Sequence, residues 1–373
     1  MDTQKQYDLA VVGGGLAGLS LAILQAKAGK RVVLFEKNKY PFHRVCGEYI
    51  SLESWDFLNY LGLNLEQLSL PIIKKLHVSS PKGTVLSAPL TLGGFGVSRY
   101  FLDQKLVEIA RKLGVDIHEG TTVKQIEETS SGFEIAADAL RISAKMAVGA
   151  FGKRSNLDVN WKREFINKNR TSLNQFVGVK YHIDFDFAKD TIALHNFKDG
   201  YCGISAIEGD KYCLCYLTTK KNLKLAGNSI EKLESQILSK NPYLKNIFQN
   251  ATKLWDAPEV ISQISFEKKQ AFYQHIPLAG DASGMIAPLC GNGMSMAFHG
   301  ALLLNESLLS GQSLDDYQQK WNKQFAVRLR AGRIVQRLFG NEITTDLLVR
   351  SLTYFPSLTQ KIIGLTHGSI IKV

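Results

Sequence analysis

The 373-residue chain has little cysteine. Its five, Cys46, Cys202, Cys213, Cys215 and Cys290, are scattered and form no C-x-x-C pair. That spacing excludes a disulfide-stapled secreted domain and a zinc ribbon, and it reads as reduced thiols in a cytoplasmic protein. Long apolar runs are also missing: none reaches the ~18 residues of a membrane span. The polar start, Met1-Asp-Thr-Gln-Lys-Gln-Tyr-Asp8, leads straight into an apolar stretch, so no signal peptide is expected. Among the histidines, His43, His182, His195, His275 and His299 show no ligand spacing, and no pair stands at i, i+4, so no metal is expected. Zinc-finger spacing and basic–aromatic repeats are absent, which excludes a nucleic-acid binder of those kinds. The net charge of +11 then reads as a solvated basic surface, with an acidic substrate or an anionic membrane as alternatives.

What is present begins at Tyr7. A short apolar run, Leu9 to Val12, predicts a buried parallel strand. Gly13, Gly15 and Gly18 follow in G-x-G-x-x-G spacing, and Leu16 to about Ala28 predicts a helix. A second apolar run, Arg31-Val-Val-Leu-Phe35, ends in Glu36. Each part has a physical task. Gly13 makes the tight turn, Gly15 lets a pyrophosphate approach the backbone, and Gly18 lets helix and strand pack closely. The helix start, Leu16 and Ala17 included, offers N–H groups and a partial positive charge to phosphates. Glu36, followed by Lys37, stands where an acid accepts from ribose hydroxyls. A dinucleotide is the expected ligand.

Further along, Lys37 to Ser51 is a loop marked by Pro41 and Gly47, and it gathers Arg44, Cys46, Glu48 and Tyr49. Ser51 to Leu61 predicts a helix, and Leu70 to Leu92 predicts strands. Arg99 precedes a helix with Leu102, Leu106, Ile109 and Leu113 at helical spacing. Ile142 to Ala150 runs into a glycine loop ending at Ser155. The middle is β-rich, with strands predicted at 176–183, 191–197, 200–205 and 211–217. Asn228 to Glu231 has capping-box spacing for a helix. Cys213 and Cys215 share a strand face, read first as core with the wall of the substrate pocket as the alternative, and Tyr201, Tyr212 and Tyr216 are candidates to line a pocket. Ile276 to Gly280-Asp281 is again strand into acid, and Pro288 to Gly293 is a second glycine loop. Helices are predicted from Met294, from Leu314 and from Thr344. The helix from Leu314 carries Lys320, Lys323, Arg328, Arg330, Arg333 and Arg337 beside Trp321 and Phe325. It reads as a cap with a wet basic face, with peripheral membrane contact as the alternative.

Gly13–Gly18 with Glu36, then Arg99, then Gly149–Ser155, then Gly280-Asp281 with Gly291-x-Gly293 form one ordered set. As a set it resembles the FAD-dependent monooxygenase and geranylgeranyl-reductase-like flavoproteins, the p-hydroxybenzoate-hydroxylase fold. The resemblance covers about Tyr7 to Leu309. It implies an α/β fold, with a Rossmann-type FAD-binding domain, an interleaved antiparallel-β substrate domain and a C-terminal helical segment. The expected boundaries are 1–70, 97–160 and 268–310 for FAD, 71–96 and 161–267 for substrate, and 311–373 for the helices. By resemblance Glu36 holds the adenosine ribose, Arg99 contacts FAD, and Asp281 bonds a ribityl or ribose hydroxyl. Gly280 belongs to that motif. Gly291, Asn292, Gly293 and Met294 face the pyrimidine end of the flavin, and Arg44 stands in the segment that lies along the ring. Cys46, Glu48 and Tyr49 are the catalytic candidates. Glu48 is alternatively a partner for Arg44.

Two departures stand out. Phe151 replaces the aspartate of the monooxygenase Gly-Ala-Asp-Gly loop. Gly203 replaces the tryptophan of the prenyl-reductase Tyr-x-Trp-x-Phe-Pro signature. The resemblance implies an FAD-dependent oxidoreductase, first a monooxygenase working through a flavin C4a-hydroperoxide. Its substrate is a hydrophobic, aromatic, polyketide-like or lipid-like small molecule, free or carrier-bound. NAD(P)H or a separate flavin reductase supplies electrons. The alternative is double-bond reduction. A halogenase or a non-catalytic flavin protein ranks behind both.

Overall fold

An apolar strand without alternation needs cover on both faces. Residues 9–12 and 32–36 obtain it. The structure, a computed structural model, describes residues 6–153, 155–167, 176–287, 289, 291–338 and 342–373. Pro288, Cys290 and the end of the Leu314 helix at Phe339 lie outside these.

The chain opens with β1 (Tyr7–Val12), α1 (Leu16–Lys27), β2 (Val32–Glu36), β3 (Tyr49–Ser51) and α2 (Trp55–Leu61). Next come β4 (Ile72–Ser79), β5 (Val85–Gly96), α3 (Arg99–Lys112), β6 (Asp116–Glu119), β7 (Val123–Thr129), β8 (Gly132–Ala137) and β9 (Leu140–Gly149). Short α4 (Asn156–Asn160) and α5 (Glu164–Asn167) lead to β10 (Phe176–Asp184), β11 (Thr191–Phe197), β12 (Gly200–Ile207) and β13 (Lys211–Thr219). Then follow α6 (Lys220–Leu225), α7 (Ile230–Gln236), α8 (Pro242–Asn250), β14 (Thr252–Lys253), β15 (Glu259–Ile264), β16 (Phe272–Tyr273) and β17 (Ile276–Pro277). The chain closes with α9 (Gly293–Leu309), α10 (Leu314–Leu338), α11 (Glu342–Tyr354) and α12 (Pro356–Thr366).

One sheet has six strands in the order β6-β2-β1-β9-β8-β7. The first four are parallel, and β8 and β7 extend them antiparallel. Leu19, Ile23, Leu106 and Phe298, from α1, α3 and α9, are fully buried in the core beside it. The larger sheet runs β14-β10-β13-β12-β11-β4-β5-β3, with β15 on β10. It is antiparallel except for the β4–β11 pair. β3 joins its edge through Tyr49 opposite Gly96.

Register gives this larger sheet two distinct faces. Val78, Leu194, Gly203, Cys215 and Lys180 are successive partners across five strands, so they share one face. Ser205, Cys213 and His182 form the next row of that face. The opposite face carries Ala193, Ile204, Leu214 and Tyr181, buried with Leu233, Leu238 and Leu244 of the helical layer. Tyr212 and Tyr216 also lie in that core, away from the site face, whereas Tyr201 packs with Met285 and Leu289.

Helix ends follow their side chains. Ser98 caps α3 by accepting from the Phe101 N–H at 3.1 Å. The expected box at Asn228 does not form: Asn228 is left-handed at φ 60°, and Ser229 caps α7 instead. A capping box does form at Ser155 and Asp158. α10 buries Trp321, Phe325 and Leu329 and so covers the body as a cap. Val349 and Leu352 of α11 pack on Val78 and Leu86, and the Ser80 hydroxyl donates to Asp346 at 2.6 Å. The tail is tied down by Ile371 N–H donating to the Glu53 carbonyl.

Candidate functional site

The glycine turn lies at the C-terminal ends of β1 and β9. Gly13 has φ 113°, and a Cβ there would sit 2.3 Å from the Ala150 carbonyl. A Cβ on Gly18 would sit 1.9 Å from the Gly13 carbonyl, so only glycine lets α1 approach the turn. The first turn of α1, Leu16 to Gly18, has no side-chain cap and no acidic residue, which leaves its N–H groups to an anion. Above Gly15 there is space: the nearest atom to its Cβ position is Arg99 Nη2, at 3.9 Å. Asp103, fully buried, holds Arg99 through two 2.8 Å bonds and Arg44 through one of 3.1 Å. Arg44 also donates to Glu36 at 3.1 Å, and Glu36 accepts from the Gly14 N–H at 3.0 Å and from Asn38. Burial opposes the Arg99 charge, but Asp103 outweighs it and raises its pKa. Arg44, expected as a partner of Glu48, is therefore bound to Glu36 and Asp103 instead. Lys37 is exposed.

The second acid loop reaches the first through β9. Leu278 bridges Gly149, and the Ala279 N–H donates to the Gly149 carbonyl at 2.9 Å. Gly280, with φ 63°, then lies against α1, its Cβ position 2.9 Å from the Ala17 Cβ. Asp281 is half-buried, and among the described residues its carboxylate accepts no hydrogen bond, although its charge acts on Lys269. Two cations hold the backs of these loops. Lys269, fully buried, donates to the carbonyls of Lys153 (2.9 Å) and Asp281 (2.7 Å), and burial pushes its pKa down to about 8. Arg163 donates to the Ala282 and Gln270 carbonyls while paired with Asp158 at 2.7 Å. Further on, Gly291 has φ 69° and packs against the Tyr49 ring, Asn292 precedes α9, and Gly293 and Met294 open that helix.

The Cys46 loop lies on the site face of the larger sheet. The Cys46 carbonyl accepts from Cys213 Sγ at 3.2 Å, and the Gly47 carbonyl accepts from the Ser205 hydroxyl at 3.4 Å. Cys213 and Cys215 therefore face this loop rather than the helix-covered core. Glu48, left-handed at φ 56°, turns its carboxylate into the sheet. There it accepts from Lys180 Nζ, from His182 Nε2 at 2.6 Å and from the Arg99 N–H at 2.8 Å. Burial alone would raise the Glu48 pKa; Lys180 and His182 outweigh it and bring it down to about 2. Tyr49 is buried, its hydroxyl finds no hydrogen-bond partner among the described residues, and burial raises its pKa, so the phenol stays protonated. His43 stacks between Tyr100 and Trp255, with centroids at 4.6 and 4.0 Å.

The structure thus gathers Gly13–Gly18, Glu36, Arg44, Arg99 and Gly280-Asp281 in one region, and Cys46, Tyr49 and Gly291–Met294 around Tyr49. Sequence reading missed Asp103, Lys180, His182, Lys269 and Arg163. Asp103 was visible as an acid four residues after Arg99, and Lys180 as a lone charge in an apolar strand.

A family model described as an FAD binding domain matches residues 6–313. The chain belongs to the FAD binding domain family. It is an FAD-dependent oxidoreductase, with monooxygenases, geranylgeranyl reductases and halogenases among its relatives. It is 25% identical over 359 residues to conditioned medium factor receptor 1 of Dictyostelium discoideum, covering 87% of this chain and 69% of that one. It is 25% identical over 380 residues to digeranylgeranylglycerophospholipid reductase 1 of Methanococcoides burtonii, covering 94% and 84%. The flavin-dependent brominase Bmp2 shares the fold, with a TM-score of 0.80 at 19% identity over 99% of this chain and 95% of that one. Among the described residues no helix is long and apolar enough to cross a membrane.

Proposed function

We propose that this FAD-dependent oxidoreductase is a monooxygenase of a hydrophobic small molecule, seated between the site face of the larger sheet and the Tyr49–Gly291 region. The residues fit FAD: the space above Gly15 and an Asp281 carboxylate that accepts no hydrogen bond among the described residues are what a pyrophosphate and a sugar hydroxyl need. In this reading Glu36 takes the adenosine ribose, and the α1 N-terminus with Arg44 and Arg99 takes the pyrophosphate. Asp281 takes a ribose or ribityl hydroxyl, and Gly291 to Met294 takes the pyrimidine end. Bound there, FAD supplies the redox and oxygen chemistry. Electrons come from NAD(P)H or a separate flavin reductase.

The observation that carries this reading is the apolar lining of the site face, with its charge paired internally. The charges on that face are spent on one another: Glu48 on Lys180 and His182. Leu194, Gly203 and Cys215 line the face, and α11 covers its far end at Val78. Glu48 positions the Cys46 loop rather than donating a proton, since it is already ionised. Excluding water in this way protects reactive oxygen chemistry from hydrolysis and proton leakage.

Double-bond reduction is the second reading. Tyr49, a protic group beside the Gly291 turn, and Cys46 in the loop before it favour it, as does the reductase name of a relative. One experiment separates the two. Reduced enzyme is given long-chain phenols and polyenes with and without 18O2, and products are weighed by mass spectrometry. One 18O atom in the product supports monooxygenation. A product two hydrogens heavier, formed equally without oxygen, replaces it with reduction. Hydrogen peroxide alone from every compound overturns both.

A further inference from the structure

The outer faces of α11 and α12 do not look like the surface of a protein that meets only water. On α11 the outward positions are Ile343, Leu347, Arg350 and Tyr354, spaced four, three and four residues apart. On α12 they are Leu358, Lys361 and Leu365, again three and four apart. All of these are exposed, Tyr354 at 81% of its surface and Ile343 at 67%. Single exposed apolar residues are ordinary, but a helical stripe of them is not. The acid within α11 after its first residue, Asp346, accepts from Ser80 and also pairs with Arg350 at 3.1 Å, so it offsets the charge of that one arginine. The exposed face of α10 repeats the pattern with Val327 and Ile334 alternating with Arg330 and Arg337.

Both α11 and α12 rest on β5 and the cluster around it. Val349, Leu352 and Ile362 pack with Val78 and Leu86, and Ile363 with Tyr49 and Leu90. Their apolar stripes therefore point away from the sheet on the same side. The same two helices cover the apolar site face from inside.

We propose that α11 and α12 dock on an anionic lipid bilayer. Large apolar side chains enter the headgroup–acyl boundary, while Lys361 and the exposed Arg330 and Arg337 of α10 extend toward lipid phosphates and Arg350, held beside Asp346, adds to them. Charge complementarity selects this partner. A second copy of the chain would bring the same basic residues against one another, whereas a bilayer surface supplies the missing negative charge. The docking stands on the exposed stripes alone. Its consequence, that a hydrophobic substrate passes from the bilayer under α11 to the site face, rests on the proposed function.

Vesicle flotation tests it with the full-length flavoprotein. Phosphatidylcholine vesicles are compared with vesicles holding 30% phosphatidylglycerol, at low and high salt (~0.05 and ~0.5 M, on either side of the screening range). The protein is expected to float with the anionic vesicles and to be partly released by salt. Leu347→Ser with Leu358→Ser should weaken binding about tenfold per leucine. Arg350→Gln with Lys361→Gln should weaken the preference for anionic lipid while leaving residual apolar binding. These positions are exposed, so an unchanged flavin spectrum and melting temperature certify the fold. Protein that stays unbound at low salt, or binds unchanged in the leucine variant, overturns the proposal. So does a stable dimer in solution that the leucine variant converts to monomer. Flotation is read without turnover, so a failed oxygenation assay leaves this result untouched.

Discussion

Lys180 has no exposed surface and sits in a strand of apolar neighbours, where desolvating an ammonium is costly unless it is paired. Its partner is Glu48, 132 residues earlier, and together with His182 they fix the Cys46 loop to the sheet. Lys180→Met should cost about 3–5 kcal/mol, because it leaves a buried carboxylate uncompensated. Adding Glu48→Gln should restore part of that loss. The pH dependence has a definite sign. In the wild type the Glu48 pKa is depressed to about 2, so its contribution is present above its ordinary 4.5 and fades as pH falls through the folded value. In Lys180→Met burial is opposed only by His182 and the Arg99 N–H, so the Glu48 pKa rises from its wild-type value. The gap between variant and wild type should then narrow on acidification from pH 7.5 to 5, as measured by urea unfolding. An equal gap at both pH values would show that the pair carries no such load. The lysine was legible as an anomaly in Phe176-Val-Gly-Val-Lys180-Tyr-His-Ile183. Its partner was not, because no local pattern ties residues so far apart.

Elements built from neighbouring residues were legible. The β1–glycine turn–α1–β2 unit follows from spacing alone, since its hydrogen bonds and close approaches are local. The larger sheet was legible only as strands. That β4 pairs with β11, and that β3 leaves the glycine-rich half to pair with β5, depends on contacts that sequence periodicity does not encode. Facing was left open in the sequence. Core is the preferred reading for Cys213 and Cys215, but register with Ser205 and Gly203 favours the alternative and turns them toward the Cys46 loop. Gly203 is the element-scale consequence. Its backbone is extended, and a Cβ there would meet nothing closer than Leu194 at 3.5 Å, so the strand tolerates a side chain. Gly203→Leu should leave FAD content and melting temperature nearly unchanged, while filling the space between Leu194 and Cys215. If substrate lies on this face, KM for bulky substrates should rise about tenfold or more, a discrimination of the size expected from a few methylenes. An unchanged KM would move the substrate elsewhere.

At the scale of the whole molecule, acid stability is set by imidazoles the fold keeps neutral. His195 is enclosed between Ser79, 2.9 Å from its Nδ1, and the Tyr243 ring stacked on it at 5.2 Å. His299 lies against Phe325 and near Arg328, and His43 is shut between two aromatic rings with Lys180 and His182 nearby. Desolvation is the leading cause at all three, aided by neighbouring positive charge, and each pKa falls from 6.5 to about 4. Between those values the unfolded chain binds protons that the folded chain refuses. Stability must therefore fall as pH drops from 6.5 toward 4, and it should level off near pH 7, below the range in which Lys269, its pKa lowered to about 8, begins to titrate. The window above pH 4.5 belongs to these histidines, because the depressed Glu48 carboxylate does not begin to lose its contribution until lower pH. Urea midpoints at pH 7.5, 6 and 5 should decline most steeply over the last interval. His195→Gln with His299→Gln, which leaves the Cys46 loop untouched, should flatten that slope relative to its own pH 7.5 value. A midpoint that stays constant to pH 5, or a slope that survives both substitutions unchanged, would show that protonation at these sites is not what the folded state excludes.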